Sequence, residues 1–164
     1  MPSIEEYARR PRAERLARIA RTPHELADAV RGAGAAVLAR RPAPKSWGPT
    51  EVICHLRDNE EWFLERMRRI VAMELPRFVA TNPDRLADER QYLTNDGAAA
   101  LAAFVRRRSE TLEFLRALEP EAWARAGVHV DLRGRRTIDE FLSVMAWHDD
   151  NHLDQLRRAL DGRP

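Results

Sequence analysis

The chain of 164 residues is poor in several things, and each shortage narrows what it can be. Its single cysteine, Cys54, rules out an internal disulfide framework and suits a reducing compartment such as the cytoplasm. Its single lysine, Lys45, means that nearly all positive charge sits on arginines, which do not titrate near neutrality. Neither sign of charge dominates: 28 basic residues stand against 26 acidic ones, and the two interleave in segments such as "ERMRR" and "RRRSE". A nucleic-acid binder gathers its cations on one face, so no nucleic-acid partner is expected. No apolar run approaches the ~18 residues of a membrane span. The N-terminus also lacks a signal peptide's apolar core. The expectation is a cytoplasmic protein with no membrane partner.

What is present is helical periodicity. A chain of this length forms one domain, 1–164, able to bury a real core. Four long segments carry the 3.6-residue pattern, and nothing comparably long alternates like a strand. The first is 22–41, with Thr22 as N-cap, Pro23 at the first helical position and Glu25 three residues after the cap. The second starts at Pro49 and runs to about Met73; the third covers about 96–118, before Pro120. The fourth begins at the capping box Thr137-Ile138-Asp139-Glu140 and ends before Gly162. A turn-rich stretch with Pro76 and Pro83 resists assignment, "AGVHVDLRGRRT" reads as a small hairpin, and residues 4–20 add a short Arg-rich helix split by Pro11. The pattern predicts an all-α fold, a four-helix bundle with a short N-terminal helical extension and a small hairpin before the last helix.

The chemistry concentrates in "MAWHDDNHLDQL", residues 145–156. Ile138, Phe141, Met145, His148, His152 and Leu156 follow steps of three and four, so both histidines lie on the core-facing stripe. Residues four apart on a helix have Cβ atoms ~6 Å apart, close enough for two imidazoles to share one ion. Taken alone, the pair reads first as two core or boundary histidines satisfied by hydrogen bonds. His55, early in the second helix, supplies a third imidazole, with Asp58 three residues on. Structural zinc sites are usually closed by four ligands and rich in cysteine. Three histidines with an open fourth position match a catalytic zinc site, or suit nickel or iron(II).

"SWGPTEVICHLRDNEEWFLERM" and "MAWHDDNHLDQL" together resemble the DinB-like superfamily: a Trp followed by "EVxxHLxD" in the second helix, and "WHxxxHLxQ" in the fourth. The resemblance extends in weaker form over 22–160 and is strongest toward the branch of YfiT-type bacillithiol transferases; mycothiol-dependent enzymes lie in the same superfamily. It implies a four-helix bundle, often a homodimer, whose divalent metal is held at the positions of His55, His148 and His152. It also implies a low-molecular-weight thiol, such as mycothiol or bacillithiol, as co-substrate toward an electrophile. Activation of water for hydrolysis, or a non-catalytic metal-binding stress-response bundle, would use the same ligands.

Other residues read more than one way. Arg108 aligns with an arginine of the YfiT-like third-helix pattern and is a candidate to clamp a substrate carboxylate, with an inter-helix ion pair as the competing reading. Asp58 and Asp149 are candidates to orient the ligands, whereas Asp150 should face solvent. His24 and His129 fit neither motif; the first is expected on the surface, the second facing solvent or anchoring a loop. Cys54, about 100° around the helix from His55, should be a buried small residue outside the site. Trp47, Trp62, Trp123 and Trp147 read as core plugs or pocket walls. No residue is singled out as catalytic acid, base or nucleophile.

Overall fold

The computed structural model describes residues 1–130 and 134–164. The helices are α1 (Ile4–Arg9), α2 (Arg12–Val30), α3 (Ala35–Leu38), α4 (Pro49–Ala72), α5 (Pro83–Glu89), α6 (Gly97–Arg116) and α7 (Ile138–Leu160). Three short strands, β1 (Arg77–Phe78), β2 (Ala126–His129) and β3 (Gly134–Thr137), form a sheet in the order β1-β2-β3. β1 runs parallel to β2, and β2 pairs antiparallel with β3 from Ala126↔Thr137 to His129↔Gly134. The predicted hairpin therefore forms, although its turn at 131–133 lies outside the described residues.

Sequence signals set most boundaries. Glu51 accepts the Gly48 amide at 2.8 Å and Pro49 opens α4. Asp96 accepts the amides of Ala98 and Ala99 at the start of α6, and Thr137 and Glu140 form the expected capping box of α7. Gly48 is required for a second reason. A Cβ there would lie 2.8 Å from the Arg40 carbonyl, so only glycine lets the chain pass as it enters α4.

The first bundle helix corrects the reading of 22–41. α2 begins at Arg12, runs through Pro23 and stops at Val30, and only a four-residue helix follows. Thr22 is thus no cap but a buried mid-helix residue. A proline inside a helix deprives the carbonyl four residues earlier of its donor. Here that carbonyl, Ile19 O, accepts Nη1 of Arg108 at 2.6 Å instead. An arginine from another helix fills the gap, a tertiary solution that no local pattern announces.

α2, α4, α6 and α7 form the bundle: α4 packs against α6 and α7, and α2 against α7 and α6. Thr50 approaches Gly97 and Glu60 meets Arg108, so α4 and α6 run parallel. Phe63 meets Phe141 while His55 meets His148, so α4 and α7 are antiparallel neighbours. A parallel pair needs a long crossover. The unassigned stretch between Met73 and Asp96, with β1, α5 and a 3-10 turn at Tyr92–Thr94, is that crossover.

The core has two halves. One contains Ile19, Phe63, Met67, Leu112, Phe141 and Met145; the other contains Leu26, Ile53, Leu56, Phe104, Leu153 and Leu156. Each such side chain contributes roughly 1.5–3 kcal/mol by burial. Between the halves lies a layer of buried polar residues joined across the four helices: Thr22, Glu60, Arg108 and Asp149. The histidines sit at this level.

Candidate metal centre

His55 lies almost two turns into α4, and His148 and His152 lie on consecutive turns of the facing α7. Antiparallel packing brings them together. Each offers one nitrogen to a cluster whose donor atoms all lie within 4.8 Å of one another. The Nε2 atoms of His55 and His148 are 3.0 Å apart, and ring centroids are 4.4 Å apart for His55–His152 and 4.3 Å for His148–His152. Tetrahedral zinc bonded at 2.0–2.1 Å would hold its nitrogens about 3.3 Å apart, so a small inward adjustment of His152 would suit one ion. No carboxylate or thiol joins the cluster among the described residues.

Neighbours set the rings' orientation. Gln155, one turn beyond His152, accepts from its Nδ1 at 2.8 Å, which leaves Nε2 as the free lone pair. The Asn59 amide nitrogen lies 3.0 Å from Nδ1 and 3.1 Å from Nε2 of His55 and donates to the His55 carbonyl. Trp47 covers one flank, 4.8 Å from the His55 ring, and Phe63 meets His148 edge-on at 5.8 Å. Gln155 and Asn59 were present in the sequence as residues one turn from a histidine, but side-chain direction alone decided their part.

The histidines are held neutral, the form that ligates. Burial, reinforced by His152, pushes His55 down to about 3. Burial and the neighbouring imidazoles hold His148 well below its usual range, and burial lowers His152 against the opposing pull of Gln155 and Asp149. This sets a pH dependence. Below an ordinary histidine pKa of 6.5, the unfolded chain binds protons that the folded site refuses. Stability should therefore fall as pH falls from 6.5 toward 3, by up to about 1.4 kcal/mol per pH unit through His55, with His148 and His152 shifted in the same direction. With chelator present, melts at pH 7.5, 6.0 and 5.0 should show a falling Tm, and His148→Asn should flatten the decline. A Tm unchanged across this range would contradict the placement of the imidazoles. The depressed carboxyls Asp58 and Asp139 lose their contribution only at lower pH, as it falls through their own pKa values.

The other candidates land elsewhere. Asp58 is buried on the far side of α4, where Tyr92 donates to it at 2.6 Å and Arg57 at 2.7 Å; these bonds outweigh burial and keep its pKa low. It favours a charged His55 only through space. Asp149 takes hydrogen bonds from Arg108 at 2.5 and 3.0 Å and from Thr22 at 2.5 Å. Arg108 is 1% exposed and spans Asp149, Glu60 and Ile19 O, so it forms the inter-helix ion pair and presents nothing to a ligand. Burial opposes its charge, but Asp149 and Glu60 hold its pKa above the ordinary arginine value.

Asp150 does not face solvent as expected: Arg18 donates to it at 2.6 Å and Tyr7 donates its hydroxyl. Both partners come from the helical N-terminal segment expected over 4–20 and split at Pro11, which packs against α7. His24 is exposed beside Asp28. His129 is buried in β2 rather than facing solvent, and lies outside the cluster. Cys54 is fully buried, and burial pushes its thiol up to about 11.

Two hollows of about 260 Å³ flank the cluster. One reaches His152 itself and is lined by Trp47, Lys45, Gln155 and Arg158. The other lies between α4, α7 and the sheet, with Asn59 and Phe63 at its inner end. The first opens onto a cluster histidine; the second ends at Asn59 and Phe63, which touch His55 and His148.

No curated protein matches the sequence significantly. Solved structures that share the fold include two of similar topology. YfiT from Bacillus subtilis, described as a probable metal-dependent hydrolase with an unusual four-helix bundle topology, superposes with a TM-score of 0.84 at 19% identity, over 97% of this chain and 88% of that one. A mycothiol-dependent maleylpyruvate isomerase superposes with a TM-score of 0.73 at 15% identity, over 95% of this chain and 63% of that one. At such identities the likeness is one of fold. The sequence profile of the DinB superfamily, however, matches residues 18–156, from α2 to the end of the "HLDQL" turn and through both histidine motifs. By that match the chain belongs to the DinB superfamily.

Proposed function

We propose that this protein is a divalent-metal-dependent enzyme that transfers a low-molecular-weight thiol, of the mycothiol or bacillithiol kind, to an electrophilic small molecule. His55, His148 and His152 hold the ion, which would be zinc or nickel, or iron. The observation that carries this reading is the convergence of three neutral imidazoles, with no fourth protein ligand among the described residues, between two separate hollows. A sealed four-ligand site would have indicated a structural metal. Two approaches suit a reaction between two small molecules.

When bound, a divalent ion supplies the Lewis acidity that makes a thiol or water nucleophilic near neutral pH. The chain's own residues do the rest. Burial keeps the imidazoles unprotonated, Gln155 fixes the tautomer of His152, and Trp47 and Phe63 keep bulk water off the flanks. In the overall change a carbon–sulfur bond forms, the leaving group departs from the electrophile and the thiol proton is released to solvent. The likeness to YfiT, described as a probable hydrolase, and to a mycothiol-dependent isomerase supports one reading each. Hydrolysis is the second reading.

The test is a panel of thiols against electrophiles with zinc- or nickel-loaded protein. The expected result is metal-dependent thioether formation, reduced more than ~100-fold in His55→Ala, since changes one shell further out already cost 10–100-fold. Product that forms without thiol and carries oxygen-18 from labelled water would establish hydrolysis in its place.

A further inference from the structure

The hollow between α4, α7 and the sheet has a composition that the metal centre does not explain. Half-buried and buried arginines elsewhere in this protein are matched to carboxylates: Arg15 to Asp139, Arg18 to Asp150, Arg57 to Asp58 and Arg108 to Asp149. Arg66 and Arg136, both half-buried in the wall of this hollow, have no acidic partner within 4.0 Å among the described residues. Arg66 donates to a backbone carbonyl, that of Val79, at 3.1 Å. Burial lowers its pKa, against the pull of Glu65, which is itself bonded to Arg69. Among the described residues no acidic side chain lines the hollow; its wall includes Trp62, Phe63, Phe141 and His129.

Two half-buried guanidinium groups facing one hollow, with no carboxylate on either among the described residues, favour an anion there, because a carboxylate offers a guanidinium a charge-assisted, bidentate pair that a backbone carbonyl does not. The axial rise from Asn59 to Arg66 is about 10 Å at 1.5 Å per residue. We propose that this hollow binds the electrophilic substrate as an elongated carboxylate: Arg66 and Arg136 take the carboxylate, an aromatic or aliphatic body lies on Trp62, Phe63 and Phe141, and the reactive end points past Asn59 to the histidines. The thiol is left the opposite hollow, beside His152. The identity of the reacting end rests on the proposed metal-dependent reaction; recognition of the carboxylate does not.

The probe is 4-phenylbutyrate, with neutral 4-phenylbutyramide as its control, titrated calorimetrically into chelator-treated protein so that no ion can attract the carboxylate. The acid should bind at least ten-fold more tightly than the amide. Arg66→Gln and Arg136→Gln should each remove most of that preference without changing the thermal melt, and Arg66→Lys should keep part of it. Equal binding of acid and amide, no binding of the acid, or wild-type affinity in both glutamine variants would overturn the proposal. Zinc binding is measured separately on the same samples. Failure to bind zinc would sink the metal-dependent reading and leave this pocket standing, whereas loss of the acid preference with intact zinc binding would do the reverse.

Discussion

The wild-type protein should bind one zinc or nickel ion per chain, and His148→Ala and His152→Ala should each lose nearly all of it. Removing one of three ligands leaves two nitrogens on a mobile hydrated ion, and the affinity should fall by more than the 10–100-fold typical of a lost outer partner. Thermodynamic linkage provides a second readout. At free metal 100-fold above its Kd, binding to the folded state alone stabilises by about 2.7 kcal/mol. Added zinc should therefore raise the Tm of the wild type and leave that of either variant unmoved. Helix content should survive, because neither imidazole belongs to either apolar half of the core. Full metal content in the His148→Ala/His152→Ala double variant, by elemental analysis after dialysis, would refute the assignment. Gln155→Leu should lie between, weakening binding by about 10–100-fold, because His152 would lose its fixed tautomer.

Arg108→Ala should be the most destabilising single change outside the hydrophobic core. The guanidinium serves Asp149, Glu60 and the Ile19 carbonyl freed by Pro23. Without it two carboxylates stay buried with no counter-charge and a helix carbonyl loses its donor. Breaking such a buried pair costs about 3–5 kcal/mol, a large share of the roughly 5–15 kcal/mol that holds a domain together. Urea unfolding at pH 7 would measure it. Arg108→Lys should rescue little, because an ammonium cannot present the planar fork that reaches both oxygens of Asp149 and Glu60 together. Arg108→Met combined with Asp149→Leu and Glu60→Leu should recover much of the loss, since an apolar layer of similar volume requires no compensation. A shift below about 1 kcal/mol for Arg108→Ala would show that the network matters little to the fold.

The sequence by itself determined the helices whose ends carry their own chemistry. Pro49 with Glu51, Asp96, and Thr137 with Glu140 mark three starts through side chains that satisfy nearby amides, and such signals act over a single turn. It also determined that His148 and His152 share a face, because helix periodicity is local. Pro23 was misread for the same reason. A proline near Thr22 looks like a helix start until Arg108, from a helix 85 positions away in the chain, supplies the missing hydrogen bond.

Tertiary structure alone decided the rest. It placed α4 beside α7 in antiparallel order, which brings His55 to the other two histidines, and it turned Asp58 and Asp149 away from them toward Tyr92 and Arg108. It stacked Thr22, Glu60, Arg108 and Asp149 into one polar layer between two apolar halves, although each lies on a stripe that periodicity marks only as buried. The physical reason is common to all of these. Periodicity says which side of a helix leaves water, but the partner of a buried charge is fixed by helix order and direction, and those follow from the whole chain's packing and from the crossover between Met73 and Asp96.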